Sequence, residues 1–154
     1  MERIVGILKR SELFLGLDDG DLRKIAGLPS CVICDYGAGE HIFRAGEAAT
    51  DMYVLVAGRV SVFTWKPTDG GASERNVVAT VTRGGTFGLS AFIPPPLRYL
   101  SAVAEEPATV LSIGMKELRA LFDDDAAIGY EVMKSLVSII GVNFRNLEEL
   151  IIAG

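Results

Sequence analysis

Residues 52–65 read MYVLVAGRVSVFTW, which is two apolar runs on either side of Ala57-Gly58. In the second run apolar and polar residues alternate from Val60 to Trp65, as they do in a β-strand with one buried face. Glycine at the junction is typical of a turn. This stretch therefore predicts two short strands, and the same pattern recurs on both sides of it.

Further short runs cut by glycine extend from Ser30 to about Ile113. Turn signals separate them at near-regular intervals, which favours a β-sandwich or barrel. The predicted strands are Cys31–Tyr36, Glu40–Phe43, Met52–Val56, Arg59–Trp65, Arg75–Val81, Leu100–Ala104 and Thr109–Ile113.

Both ends of the chain have helical periodicity instead. At the start, Ile4, Ile7 and Leu8 share one helix face, and Asp18 is a predicted N-cap for a second helix that carries Leu22, Ile25 and Ala26. At the end, a helix over Met115–Phe122 is followed by Asp123-Asp124-Asp125, which caps a long helix from about Ala126 to Ile151.

The final helix has more apolar positions than one small β-domain covers easily. Spacings near three and four residues link Val132, Leu136, Ile139 or Ile140, Val142, Leu147 and Leu150. The stripe either covers the β-domain or pairs in part with the same helix of a second chain. We therefore predict a homodimer through the helix around Val132–Leu150.

Composition excludes several functional classes. The chain has 154 residues, which is enough for one domain. Its net charge is −5, so it is a poor candidate for a nucleic-acid-binding protein. It lacks both an apolar run of membrane-spanning length and a secretory signal, which predicts a cytoplasmic protein with no membrane association. Paired carboxylates, a nucleophile motif and a Walker motif are also missing, so we predict a non-enzyme without catalytic residues, metal or cofactor.

Two cysteines form a Cys-x-x-Cys at Cys31 and Cys34. In a redox protein such a pair lies at a helix N-terminus, whereas the residues around Cys31 and Cys34 are typical of a strand. Side chains three residues apart on a strand point to opposite faces, so the two thiols would not meet. A zinc site would need two further ligands, and His41 is the only histidine. Both are predicted to be ordinary cysteines.

The segment that carries chemistry is residues 84–101, GGTFGLSAFIPPPLRYLS. Gly84, Gly85 and Gly88 allow tight turns, and Leu89–Ile93 predicts about one helical turn that ends before Pro94. A helical turn after glycine presents free backbone N–H groups to an anion, and the guanidinium of Arg98 follows.

The order of these landmarks resembles the cyclic nucleotide-binding domain family, which includes catabolite-activator-type regulators and regulatory subunits of cyclic-AMP-dependent kinases. The resemblance rests on Leu13–Leu17, Tyr36–Glu47, Met52–Val60 and Gly84–Gly88. It implies a mainly β fold, a double-stranded β-helix or jelly roll, with N-terminal helices and a long C-terminal helix. One domain over 1–154 would comprise a helical entry (1–29), a β-roll (30–113) and C-terminal helices (115–152).

The same resemblance implies a ligand site for cAMP or cGMP. Arg98, ten residues after Gly88, matches the family arginine that contacts the cyclic phosphate. Leu89 stands where the family usually has the glutamate that holds the ribose hydroxyl, and Tyr99 and Leu100 replace small residues. The predicted ligand-binding residues are Phe87, Gly88, Leu89, Ser90, Ala91, Arg98, Tyr99 and Leu100.

Three outcomes follow for this site: weakened cyclic nucleotide binding, binding of another small anion, or an empty pocket. The predicted function is a regulatory domain that senses a cyclic nucleotide or related anion and signals through its C-terminal helix. The alternative is a jelly-roll interaction or dimerisation module that has lost the ligand.

Overall fold

The computed structural model describes residues 1–71 and 73–154 and consists of two β-sheets flanked by helices. The first helices, α1 (Glu2–Arg10) and α2 (Asp19–Ala26), are separated by a 3₁₀ helix at Glu12–Phe14. The last, α3 (Met115–Asp124) and α4 (Ala126–Ala153), follow the sheets directly. None of these helices has the length and hydropathy needed to cross a bilayer.

Eight strands occupy the middle of the described chain. They are β1 (Val32–Tyr36), β2 (His41–Phe43), β3 (Asp51–Ala57), β4 (Val60–Pro67), β5 (Ser73–Val81), β6 (Thr86–Phe87), β7 (Ser101–Ala104) and β8 (Ala108–Gly114). All seven predicted strands are confirmed within two residues of their limits. The two-residue β6 was missed, because it lies between glycines in what looked like a continuous loop.

The strands form two antiparallel four-stranded sheets, ordered β1-β8-β3-β6 and β2-β7-β4-β5. Strands close in sequence often lie in different sheets, so the chain winds between the two layers as a β-jelly roll. Because the sheets face each other, alternate residues of one strand point to different cores. Met52 and Val54 of β3 face the helices, whereas Tyr53 and Leu55 face the second sheet.

The helices close the outer side of the first sheet. Leu8 of α1, Leu22 of α2 and Leu118 of α3 are each fully or almost fully buried there, together with Ile128 of α4. The predicted N-caps of α2 and α4 are both present, since Asp18 accepts from the Asp21 N–H and Asp125 from the Ile128 N–H. The helical layer therefore lies on the outer side of the sheet that contains β3 and β6.

Both cysteines are free thiols, as the sequence predicts. Cys31 is buried immediately before β1, and burial raises its pKa to about 11. A thiol with a raised pKa is protonated and weakly nucleophilic at neutral pH, which describes Cys31.

Candidate ligand-binding site

The site begins at the turn after β6. Gly88 has a φ of 74° and lies at the start of a 3₁₀ helix over Leu89–Phe92, which confirms the predicted helical turn. A Cβ at Gly88 would lie 2.9 Å from Tyr53 Cδ2 and 3.1 Å from Arg98 Nη1. Both the backbone angle and the close approach of these side chains therefore require glycine.

The loop that carries Arg98 is held against the segment between β2 and β3. The Arg98 N–H donates to the Glu47 carbonyl at 2.8 Å, and its own carbonyl accepts from the Gly46 N–H at 2.7 Å. Two residues earlier, the Pro96 carbonyl accepts from Ala49 at 2.8 Å. These backbone bonds fix the position from which the arginine side chain enters the protein.

Arg98 is buried, with 2% of its surface exposed. Its Nη1 donates to the Gly88 carbonyl at 2.9 Å and to Ser90 Oγ at 3.2 Å, and its Nη2 donates to the Asp51 carbonyl. Its Nε has no hydrogen-bond partner among the described residues. The guanidinium thus holds together the turn, the 3₁₀ helix and the start of β3.

Aromatic rings form the floor beneath the guanidinium. Arg98 Cζ lies 4.1 Å from the centroid of Phe43, and the rings of Tyr53 and Phe87 stack with centroids 5.1 Å apart. Burial lowers the pKa of Arg98, whereas nearby Tyr53 and Asp51 act to raise it. Burial also raises the pKa of Tyr53 to about 12. No carboxylate of the described chain forms an ion pair with Arg98.

A small cavity of about 180 Å³ opens beside this arrangement. Five of the eight predicted site residues line it: Gly88, Leu89, Ser90, Tyr99 and Leu100. Phe43 of β2 and Val62 of β4 also line it and were not predicted. Sequence periodicity marked both as strand residues, but nothing local shows that their strands reach this loop.

The remaining three predicted residues lie behind the cavity wall. Phe87 and Ala91 are 4% and 0% exposed, and Arg98 contacts three lining residues, Gly88, Ser90 and Phe43, without lining the cavity itself. The cavity therefore has an apolar wall that includes Leu89 and Val62, a hydroxyl at Ser90, and an exposed ring at its mouth, Tyr99.

The 3₁₀ helix is linked directly to the C-terminal helices. Arg119 of α3 donates from Nη2 to the Ala91 carbonyl at 2.8 Å. On its other side, α3 packs on α4 so closely that a Cβ at Gly129 would lie 2.9 Å from Phe122 Cβ. The 3₁₀ helix thus contacts α3, and α3 in turn contacts α4.

The sequence of this chain matches the model of one protein family. The family model described as "Cyclic nucleotide-binding domain" matches residues 33–125, from the first strand to the N-cap of α4. The chain belongs to the cyclic nucleotide-binding domain family. The resemblance seen in the sequence is thereby confirmed, and the family is one of regulatory ligand-binding domains.

Solved structures show the same fold. A putative cyclic nucleotide-binding protein from Geobacter metallireducens is 25% identical with a TM-score of 0.72, and the match covers 88% of this chain and 93% of that one. The catabolite activator protein of Thermus thermophilus is 23% identical with a TM-score of 0.75. That match covers 92% of this chain but 62% of the activator. No curated protein sequence matches this cyclic nucleotide-binding domain.

Proposed function

We propose that this cyclic nucleotide-binding domain senses cAMP, cGMP or a related small anion, whose phosphate binds beside Arg98. The observation that supports this is a buried guanidinium with an unpartnered Nε and no carboxylate partner. A buried cation without an ion-pair partner is costly, and a phosphate forms stronger, charge-assisted hydrogen bonds than the neutral acceptors that now surround it.

The anion enters from the cavity side in this proposal. Ser90 lines the cavity and its Oγ also accepts from Arg98 Nη1, so it lies between the cavity and the guanidinium. A phosphate oxygen that displaces Ser90 Oγ from Nη1 would leave that hydroxyl free to donate to the same phosphate. Binding thus rearranges the 3₁₀ helix that carries Ser90.

The sugar side of the cavity predicts reduced affinity for a cyclic nucleotide. Leu89, Val62 and Leu100 present apolar surface where a ribose hydroxyl would lie. Losing one hydrogen bond to a carboxylate costs about 1.5–3 kcal/mol, which weakens binding roughly tenfold to a hundredfold. Tyr99, 68% exposed at the mouth, offers a stacking face to the base.

Thermal unfolding with millimolar cAMP or cGMP tests this function. Ligand at a hundred times its Kd adds about 2.7 kcal/mol, which raises the Tm by roughly 5–10 °C for a domain of this size. Leu89→Glu should increase the shift by restoring an acceptor, and Arg98→Lys should abolish it because lysine lacks the planar fork. The ligand-dependent shift is compared within each variant, since replacing a buried arginine lowers the Tm by itself.

Two results would contradict the proposal. One is a shift that survives in Arg98→Lys, which would place the ligand elsewhere. The other is the lack of any shift with cAMP, cGMP or inorganic phosphate in both the wild type and Leu89→Glu. In that case the domain has the jelly-roll fold of the family but does not bind its ligand, and an interaction or dimerisation module describes it better.

Signalling through α4 is the second half of the proposed function. Arg119 joins the 3₁₀ helix to α3, and α3 packs on α4. We expect ligand to change hydrogen exchange in α4 of the wild type and to leave it unchanged in Arg119→Ala, although that variant still binds. Equal α4 responses in both proteins would exclude Arg119 as the connection.

A homodimer through α4 completes the proposal, and a specific observation favours it. Seven apolar residues form an exposed α4 stripe in which gaps of three and four residues alternate: Tyr130, Met133, Val137, Ile140, Phe144, Leu147 and Ile151. This is the spacing of a coiled-coil seam. Light scattering of the purified chain should give the mass of a dimer, and a monomer at all concentrations would contradict this assembly.

A further inference from the structure

The ligand cavity is smaller than a whole cyclic nucleotide requires. Its volume is about 180 Å³, whereas sites that enclose a drug-sized ligand have roughly 300–1,000 Å³. In the proposed function, on which this inference rests, the phosphate lies at the end of the cavity formed by Ser90, next to Arg98. The base is attached at the opposite end of a cyclic nucleotide from the phosphate. It is therefore the base that remains outside the cavity, at its mouth.

The side chains that line the cavity do not include those that usually distinguish one base from another. Such readout uses hydrogen bonds between Arg, Lys, Asn, Gln, Asp or Glu and the edge of the base. None of these residue types lines the cavity in the part of the chain that the structure describes. Four of the lining side chains are apolar: Phe43, Val62, Leu89 and Leu100. The walls therefore make contacts that depend on apolar area rather than on hydrogen bonds.

The polar groups of the cavity lie at its phosphate end. Ser90 Oγ accepts from Arg98 Nη1 at 3.2 Å, and the Gly88 carbonyl accepts from the same nitrogen at 2.9 Å and from the Ala91 N–H at 3.3 Å. The remaining hydroxyl of the lining belongs to Tyr99, which is 68% exposed, so water competes for any hydrogen bond that it makes. No lining side chain thus offers the base a buried donor or acceptor.

Tyr99 is the lining residue best placed to contact a base at the mouth. It is exposed, whereas the other residues that line the cavity are buried or half-buried. An aromatic ring stacks on any base, because every base has a π face. Preferences among bases then come from stacking strength rather than from hydrogen bonds. Contacts with Tyr99 therefore favour purines over pyrimidines but do not separate adenine from guanine.

We propose that this site binds cyclic nucleotides of either purine base equally well, with the base stacked on Tyr99 outside the cavity. The cyclic phosphate beside Arg98 and the size of the base ring then determine which ligands bind. The hydrogen-bonding groups on the edge of the base do not. The domain therefore responds to the combined concentration of cAMP and cGMP rather than to one of them alone.

Isothermal titration calorimetry of the full chain with cAMP, cGMP, cyclic CMP and cyclic UMP tests this inference. The bases of cAMP and cGMP have the same ring size and differ only at their edges, so the two Kd values should agree within about threefold. The two pyrimidine ligands should also agree with each other, and both should bind more weakly than the purines because they stack less well. A hydrogen bond to the base edge would instead separate the members of a pair by roughly fivefold to a hundredfold.

Two variants of Tyr99 separate stacking from hydrogen bonding. Tyr99→Ala removes the ring and should weaken cAMP and cGMP binding by about tenfold, to the same extent for both ligands. Tyr99→Phe keeps the ring and should bind all four ligands as the wild type does. Trp65→Ala is the matched control, because it removes an exposed aromatic side chain of β4 that does not line the cavity. It should leave all four Kd values unchanged.

Three results would overturn this inference and leave the proposed function intact, provided that Arg98→Lys still abolishes binding. The first is a difference between cAMP and cGMP larger than threefold, which would mean that the protein reads the base edge. The second is unchanged binding in Tyr99→Ala, or weakening equal to that in Trp65→Ala. The third is weaker binding in Tyr99→Phe, which would assign a hydrogen bond to the hydroxyl. If none of the four ligands binds, the proposed function is itself wrong, and this inference with it.

Discussion

The two halves of α4 are both rich in apolar residues but differ in their surroundings. In the first half, Ile128, Val132 and Leu136 are almost fully buried against the other helices and the first sheet. In the second half, every large apolar residue from Val142 onward is exposed, including Phe144 and Leu147. Hydrophobic periodicity predicts one helix over both halves, but only contacts with the rest of the domain distinguish them.

The residues predicted to form the dimer seam include both buried and exposed positions of α4. Val132 and Leu136, named in the sequence as part of that stripe, belong to the core of this chain. The exposed stripe is carried by neighbours such as Met133 and Val137. Because residues two apart on a helix differ by about 200° in direction, Tyr130 and Val132 face nearly opposite sides. The helix α4 therefore has one apolar face packed on its own domain and a second apolar face that is exposed.

The largest expected effect comes from shortening a side chain in the buried half. Leu136→Ala should lower the free energy of unfolding by about 2–5 kcal/mol, which lowers the Tm by roughly 4–20 °C. Leu147→Ala deletes the same atoms from the exposed half and is the matched control. Chemical denaturation of dilute protein measures both, and equal losses would mean that the two halves do not differ in packing.

Charge placed in the exposed half should separate association from stability. Phe144→Glu brings two carboxylates together across the proposed seam, so the dimer Kd should rise by about a hundredfold. The monomer's denaturation midpoint should stay unchanged, because Phe144 is 59% exposed within the chain. Light scattering over a dilution series measures the Kd, and a Kd equal to that of the wild type would remove Phe144 from the interface.

The smallest effect concerns the N-cap that anchors the buried half. Lys24 Nζ lies 2.8 Å from Asp125 Oδ2, and this hydrogen bond, with further bonds from backbone N–H groups, lowers the pKa of Asp125. A carboxyl with a lowered pKa stabilises the fold above its unfolded pKa of 3.8, and that contribution is lost as the pH falls through the folded value. Stability therefore declines at acid pH through this group.

Asp125→Asn tests the cap, since it keeps an oxygen that can accept the Ile128 N–H but removes the charge facing Lys24. The variant should be slightly less stable than the wild type at neutral pH, and the difference should shrink as the pH falls below 3.8. Thermal unfolding between acid and neutral pH measures this. If the difference in stability between the two proteins is the same at every pH, the charge of Asp125 does not contribute to stability.

Much of the architecture was predictable because the information is local. Glycine-bounded runs with alternating polarity predicted seven strands, and Asp18 and Asp125 marked the starts of two helices. In the candidate site, the glycine turn and the short helix after Gly88 were predictable for the same reason. The contributions of Phe43 and Val62 were not, since they depend on strands that are distant in sequence and meet only after folding.

The sequence by itself determined where the chain forms strands, helices and turns, and which family it resembles, because propensity, periodicity and motif spacing act over a few neighbouring residues. Only the tertiary structure decided that Arg98 lies buried over an aromatic floor, and that α4 presents one apolar face inward and one outward. These features depend on segments that come together when the two sheets and the helical layer pack, and such contacts leave no local pattern.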